Sequence, residues 1–271
     1  MLTIKKIKVP FKNKFLSATT NENTNAMPIV FIHGNSMSSK IWKRQFEGNF
    51  SNKYYLISFD LPGHGESDNL DSYTFSDLIN SAPAVIKHFE LKDYVIIGNS
   101  LGGDIILQLT QSLTNCIGVM LINTPPVSKP PSMEKALLPN PLIGMFFTKD
   151  YDSVNLDTFM EIFLYDVKNT PEFIKSDFQR TDGKSRQSLA EAVGALNYND
   201  EVEALKNLHI PVAIVAGKNE KMVNNDYYKT LDIPKLWQKK IQVIEASAHC
   251  PQWEQSDTFN KLLDVFCNSS L

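Results

Sequence analysis

Val95-Ile96-Ile97-Gly98-Asn99-Ser100-Leu101-Gly102-Gly103-Asp104 sets a G-x-S-x-G spacing directly after an apolar run and directly before a helix-compatible one. A strand that turns sharply into a helix leaves Ser100 on a strained tip with little room on either side. Gly98 and Gly102 supply that room because they lack Cβ atoms. The geometry exposes a serine Oγ at a helix N-terminus, whose partial positive charge favours an oxyanion. Alone the pattern also occurs in glycine-rich turns; between a strand and a helix it makes Ser100 the candidate nucleophile.

Outward from this turn the chain alternates. Apolar runs of strand length occur at Ile29–His33, Tyr54–Phe59, Tyr94–Gly98, Ile117–Ile122, Pro211–Ala216 and Lys240–Glu245. Several are apolar at consecutive positions, as expected of strands buried on both faces of a parallel sheet. Helix-compatible stretches lie between them, at Thr74–Phe89, Gly102–Ser112 and Asp257–Phe266. Strands alternating with helices predict an open α/β sheet with right-handed crossovers. Leu2–Val9 and Phe11–Ser17 read as an antiparallel edge hairpin, and Asn21–Asn25 as a polar turn.

One interval breaks the rhythm. Almost ninety residues separate the strand ending near Asn123 from the one beginning at Pro211, where a crossover needs only about a dozen. The interval opens proline-rich, from Pro125 to Pro141, and then turns helical and apolar. A long structured insertion at the carboxyl end of a strand is most economically a helical cap over a site. The expected organisation is therefore a core of residues 1–126 and 206–271 with a helical cap over 127–205.

Composition narrows the classes. The chain has 271 residues, 42% hydrophobic and 21% charged, which is one globular domain able to carry an insertion. Its 27 Lys+Arg against 30 Asp+Glu give a net charge of −3 with no basic block, which argues against a nucleic-acid partner. No apolar run reaches the roughly 18 residues that span a bilayer, so no membrane association is expected. The lysine-rich start, Met1 to Phe15, lacks the apolar segment of a secretory signal. Cys116, Cys250 and Cys267 are odd in number and lack metal spacing, so they read as buried thiols in a reducing compartment. The expected location is cytoplasmic.

A serine at its free pKa is a poor nucleophile and needs a base, usually histidine. Of the five histidines, His33 and His64 fall in turns, His88 in a helix, and His209 at the amino end of a strand. His249 alone follows the last strand at its carboxyl end, where ligands of open α/β sheets bind, and is the candidate base. The orienting acid should lie between Ser100 and His249. No acid follows Ile122 before Glu134, whereas Gly217-Lys218-Asn219-Glu220 supplies one directly after a strand. Glu220 is the candidate, with Asp226 in reserve. The loop Ile32-His33-Gly34-Asn35-Ser36 and the residue after the nucleophile are the expected sources of oxyanion N–H donors, namely Asn35 and Leu101. His33 reads as structural, its ring bonding nearby backbone.

His33-Gly34, Asp60-x-x-Gly63-His64-Gly65-x-Ser67, Gly98-Asn99-Ser100-Leu101-Gly102-Gly103 and His249 jointly resemble the α/β-hydrolase fold family along nearly the whole chain. That resemblance implies a mostly parallel eight-stranded sheet flanked by helices, with the cap inserted after the sixth strand. Within the family the chain is similar to the metal-independent N-acyl-homoserine lactonases of the AidH type. The similar stretches are His33-Gly34-Asn35-Ser36, Leu61-Pro62-Gly63-His64-Gly65, Thr124-Pro125-Pro126-Val127, Arg180-Thr181-Asp182-Gly183 and Gly217-Lys218-Asn219-Glu220. Those enzymes also use a glutamate at the Glu220 position and an oxyanion-loop asparagine where Asn35 falls. The chain departs from them at Asn99, where they can have tryptophan, and at Phe159, near which a substrate-touching cap tyrosine aligns; Tyr165 would then supply that hydroxyl from elsewhere.

The resemblance implies a serine hydrolase that opens acyl-homoserine lactones through an acyl-enzyme, with no metal or cofactor, thereby silencing a quorum signal. Gly34, Asn99, Met145, Phe146, Phe159, Phe163 and Tyr165 are the expected substrate contacts. The apolar ones would bury an acyl chain at about 0.8 kcal/mol per CH₂. A carboxylesterase for small or medium-chain acyl esters is the alternative with the same triad. A receptor without turnover has no reason to keep Ser100, His249 and Glu220 together. Five scattered histidines give no zinc cluster. The expected partner is a small-molecule lactone or ester, and the expected state a monomer or weak homodimer.

Overall fold

The computed structural model describes residues 3–151 and 156–269. Eight strands form one sheet: β1 (Lys5–Phe11), β2 (Lys14–Thr20), β3 (Pro28–Ile32), β4 (Tyr55–Phe59), β5 (Tyr94–Asn99), β6 (Cys116–Ile122), β7 (Val212–Gly217) and β8 (Gln242–Ile244). Their order is β1-β2-β4-β3-β5-β6-β7-β8. The β1–β2 and β2–β4 pairs are antiparallel, and β4, β3, β5, β6, β7 and β8 run parallel.

Consecutive apolar residues in the central strands are explained by the two faces they fill. Along β3, Val30 and Ile32 enter one core while Ile29 and Phe31 enter the other; along β5, Ile96 faces the first and Val95 and Ile97 the second. Successive side chains of a strand point to opposite faces, so a sheet covered on both sides needs apolar residues at every position. The first face is covered by α1 (Phe75–His88), through Leu78, Ala82 and Val85, and by α2 (Leu101–Leu109), through Ile105, Ile106 and Leu109. Thr74 and Asp77 close the start of α1 as a capping box, each side chain taking the other's backbone N–H.

The edge hairpin forms as expected but turns later. The chain reverses at Lys12–Asn13 with Lys12 at φ 53°, and Pro10 pairs with Phe15 within the strands. An edge strand tolerates proline because one side of it has no partner to miss the N–H. Leu2, where the sequence began this strand, lies outside the described residues.

Between β6 and β7 the described residues form several helices joined by irregular segments. The main helices are α3 (Glu172–Arg180), α4 (Gly183–Gly194) and α5 (Glu201–Lys206). Phe146, Phe159, Phe163 and Phe178 interlock there with ring centroids 4.8–6.3 Å apart, and join the second core. Arg186 of α4 is buried and donates to the carbonyls of Thr148, Lys149, Phe178 and Thr181. Beyond β8, α6 (Ser256–Ser269) packs Phe259, Leu263 and Phe266 on the second face. Among the described residues no helix is long and apolar enough to cross a membrane.

Candidate active site

Ser100 sits alone between β5 and α2 at φ 52°, ψ −123°. A non-glycine residue rarely adopts this conformation, and it persists only where the surroundings enforce it. The Ser100 N–H donates to Ile122 O on the neighbouring strand at 2.8 Å. Crowding explains the glycines: a Cβ on Gly98 would come within 2.3 Å of the Gly102 backbone, and one on Gly102 within 2.3 Å of Ile32 O.

His249 is reached from the last strand, on a loop tied down at both backbone atoms. Its N–H donates to Phe163 O at 3.0 Å, and its carbonyl accepts Asn99 Nδ2 at 3.1 Å. The ring Nδ1 lies 3.0 Å from Glu220 Oε2, with both side chains almost fully buried. The other oxygen, Oε1, accepts the N–H groups of Lys221, Met222 and Val223 at 3.0, 2.7 and 3.1 Å. A carboxylate so held is acceptor-only, which places the imidazole proton on Nδ1 and frees Nε2. Asp226 is exposed and paired with Lys229 at 2.5 Å, away from His249. Glu220 is thus the acid that the fold brings to His249.

The remaining histidines are occupied or remote. His33 Nδ1 donates to Gly34 O at 2.7 Å, and its Nε2 accepts Leu61 N–H at 3.0 Å. Burial lowers its pKa, and that of the adjacent His64 falls well below the ordinary value, so both rings stay neutral. Asn35 lies beside Ser100 in the same cavity wall. Its side-chain amide donates to Phe146 O at 2.8 Å and its Oδ1 accepts Ser36 Oγ–H at 2.9 Å, which fixes the loop. Leu101 is the first residue of α2, where backbone N–H groups lack an acceptor within the helix.

Ser100, His249, Asn35, Leu101 and Phe146 line one cavity of about 100 Å³. At roughly 10–15 Å³ per water-sized group, it admits a short chain of atoms. Much of the wall is apolar, from Phe75, Met133, Leu137, Ile143, Phe147 and Leu189. The other expected contacts sit elsewhere. Gly34 lies against Ser100, a Cβ there being 3.2 Å from Ser100 Cβ. Asn99 is fully buried under the site, its amide bonding Ile122 O and His249 O. Phe159 and Phe163 are buried in the aromatic cluster, and the Phe163 ring meets His249 edge-on at 6.1 Å. Met145 packs against the second core. Tyr165 is 51% exposed and borders an outer depression with Trp253 and Glu254, so its hydroxyl does not replace a cap tyrosine in the cavity.

Most of the apolar wall lies outside the expected contacts, and so do two acids that line the cavity, Asp104 and Glu201. Asp104 carried a sequence signal, an acid in the otherwise apolar run that follows Ser100. Glu201 carried none, because only the packing of α5 against α2 delivers it. Cys250, beside His249, is fully buried, and burial raises its thiol pKa well above the ordinary value, which leaves it an inert neighbour.

A family model described as the alpha/beta hydrolase family matches residues 29–262. Among solved structures, N-acyl homoserine lactonase AidH complexed with N-butanoyl homoserine superposes with a TM-score of 0.91 at 23% identity, over 98% of this chain and 97% of that one. A thermophilic esterase from Thermogutta terrifontis superposes at 0.76 and 17% identity, over 98% and 99%. The 2-hydroxy-6-oxononadienedioate/2-hydroxy-6-oxononatrienedioate hydrolase 1 of Pseudomonas putida is 23% identical over 250 residues, covering 87% of this chain and 86% of that protein. At these identities the structural likeness establishes the fold alone.

Proposed function

The chain belongs to the alpha/beta hydrolase family, and from that premise we propose that it is a serine hydrolase opening the lactone ring of N-acyl-homoserine lactones. The observation that carries the reading is His249, fixed by Glu220, sharing a narrow, largely apolar cavity with Ser100. The likeness to the AidH lactonase through the helical insertion supports the substrate class. In this reading residues 127–205 act as the cap, and turnover silences a quorum signal.

His249 Nε2 takes the Ser100 hydroxyl proton as Oγ attacks the lactone carbonyl, and Glu220 stabilises the resulting imidazolium. The N–H groups of Asn35 and Leu101 receive the oxyanion, a donor pair in which each member is worth about 10²–10³ in kcat. Collapse breaks the ring C–O bond, and His249 returns the proton to the departing alkoxide. That hydroxyl stays tethered to the acyl-enzyme, so reclosure competes with release. Water, deprotonated by His249, then attacks the acyl carbon and frees Ser100 and the open N-acyl-homoserine. A base-activated serine and two N–H donors supply both nucleophile and electrophilic stabilisation, so the sequence of steps calls for no metal.

The test is mass spectrometry of N-hexanoyl-homoserine lactone incubated with the protein and EDTA. Gain of one water, reversed on acidification, is expected. Release of free homoserine lactone would mean amide cleavage. An unchanged lactone beside a hydrolysed aryl ester would mean a carboxylesterase, the reading that the Thermogutta terrifontis likeness would then favour.

A further inference from the structure

Two carboxyl groups in the cavity wall have no part in the triad. Asp104 stands one turn along α2 from the nucleophile, its N–H donating to Ser100 O at 3.2 Å. Glu201, at the start of α5, lines the same cavity. The two differ in how they are satisfied. Glu201 Oε1 accepts Gln108 Nε2 and its Oε2 accepts the Val127 N–H, both at 2.8 Å. Asp104 Oδ1 is buried and has no hydrogen-bond partner. An unpaired buried polar atom is destabilising, and a purely packing role in this wall would be met better by leucine.

We infer that Asp104 determines specificity: its carboxyl group, part-exposed in the cavity wall and not held by the protein at Oδ1, binds a neutral oxygen substituent, a hydroxyl or keto group, on the acyl chain, while Glu201 is the fixed member beside it. The inference rests on the acyl-lactone reading and names a feature of its substrate. Burial raises both carboxyl pKa values, Glu201 to about 8 and Asp104 well above the ordinary range, with repulsion from Glu201 adding to the second. The shift favours the protonated form of Asp104, a group that both donates and accepts. Such a group complements a hydroxyl or keto oxygen, whereas an ammonium ion would call for a carboxylate. Position agrees with chemistry. One helical turn is about 5.4 Å, and the third acyl carbon lies five bonds from the reacting carbonyl, roughly 6 Å at backbone-like spacing.

The test compares N-hexanoyl-, N-(3-hydroxyhexanoyl)- and N-(3-oxohexanoyl)-homoserine lactone, both as substrates and as inhibitors of p-nitrophenyl butyrate hydrolysis. The wild type should favour at least one oxygenated lactone over the plain one by about three- to tenfold, the worth of one net hydrogen bond. Asp104→Leu should erase that ratio, and the isosteric Asp104→Asn, with a donor and an acceptor, should keep part of it. A wild type that does not favour either oxygenated lactone overturns the inference, as does an Asp104→Leu enzyme with an undiminished ratio. Tighter inhibition by oxygenated lactones that are never opened would keep the subsite and sink the lactonase reading. Rapid opening of all three with equal kcat/KM would do the reverse.

Discussion

His249 Nδ1 and Glu220 Oε2 stand 3.0 Å apart, and the other oxygen of the same carboxylate accepts three consecutive backbone N–H groups. One side chain thus closes its own loop and fixes the imidazole. Glu220→Gln keeps a carbonyl oxygen for the N–H groups but turns an amide N–H toward Nδ1, which favours the wrong tautomer. The expected kcat for ester or lactone falls by roughly 10³–10⁴, as for the comparable aspartate substitution in serine proteases, with the fold retained by circular dichroism. A loss under tenfold would show that Glu220 does not orient the base.

Ser100 holds its backbone at φ 52°, a conformation that costs about 1–3 kcal/mol for a residue with a Cβ. Ser100→Ala should abolish turnover and fluorophosphonate labelling while keeping the strain. Ser100→Gly should abolish both and melt higher than Ser100→Ala. Equal melting temperatures for the two variants would mean that the turn stores no strain.

Glu201 predicts a pH signature. Its pKa rises from 4.5 to about 8 in the folded protein, chiefly through burial, so the native state holds this proton more tightly than the unfolded chain. Its contribution is complete below about 4.5 and is lost as pH climbs toward about 8. Glu201→Gln should flatten the decline in urea-unfolding free energy across that window. An unchanged slope would show that Glu201 ionises freely in the fold.

Arg186 satisfies four carbonyls from the interior of the helical insertion, its guanidinium 4.9 Å from the Phe178 ring centroid. Arg186→Ala leaves those acceptors unpaired and opens a void. The expected cost is at least about 3 kcal/mol, a fall of roughly 6–12 °C in melting temperature for a chain of this size. A melt within 2 °C or so of wild type would show that water replaces the guanidinium without penalty.

The parts of this molecule legible in sequence are those with local causes. Ile29 to Ile32 and Val95 to Ile97 announce buried parallel strands because both sheet faces are covered. Ser100 and Glu220 declare themselves by their places just past strand ends. The insertion is different. Phe146, Phe159 and Phe163 have the same apolar character, yet only Phe146 borders the cavity, because aromatic packing among helices depends on contacts far apart in sequence. Tyr165 faces outward for the same reason. Glu201 was invisible because its neighbours, Val127 and Gln108, lie 74 and 93 residues away.

The central claim is that Ser100 itself becomes acylated by a lactone. Opening a ring on an enzyme expels no fragment, so the intermediate carries the whole mass of the lactone. Wild-type protein turning over N-hexanoyl-homoserine lactone should be quenched in acid within milliseconds and weighed intact, then digested. The account predicts an adduct of the full lactone mass on the peptide bearing Ser100, absent from Ser100→Ala. Continued lactone opening by Ser100→Ala, with no adduct on either protein, would contradict it.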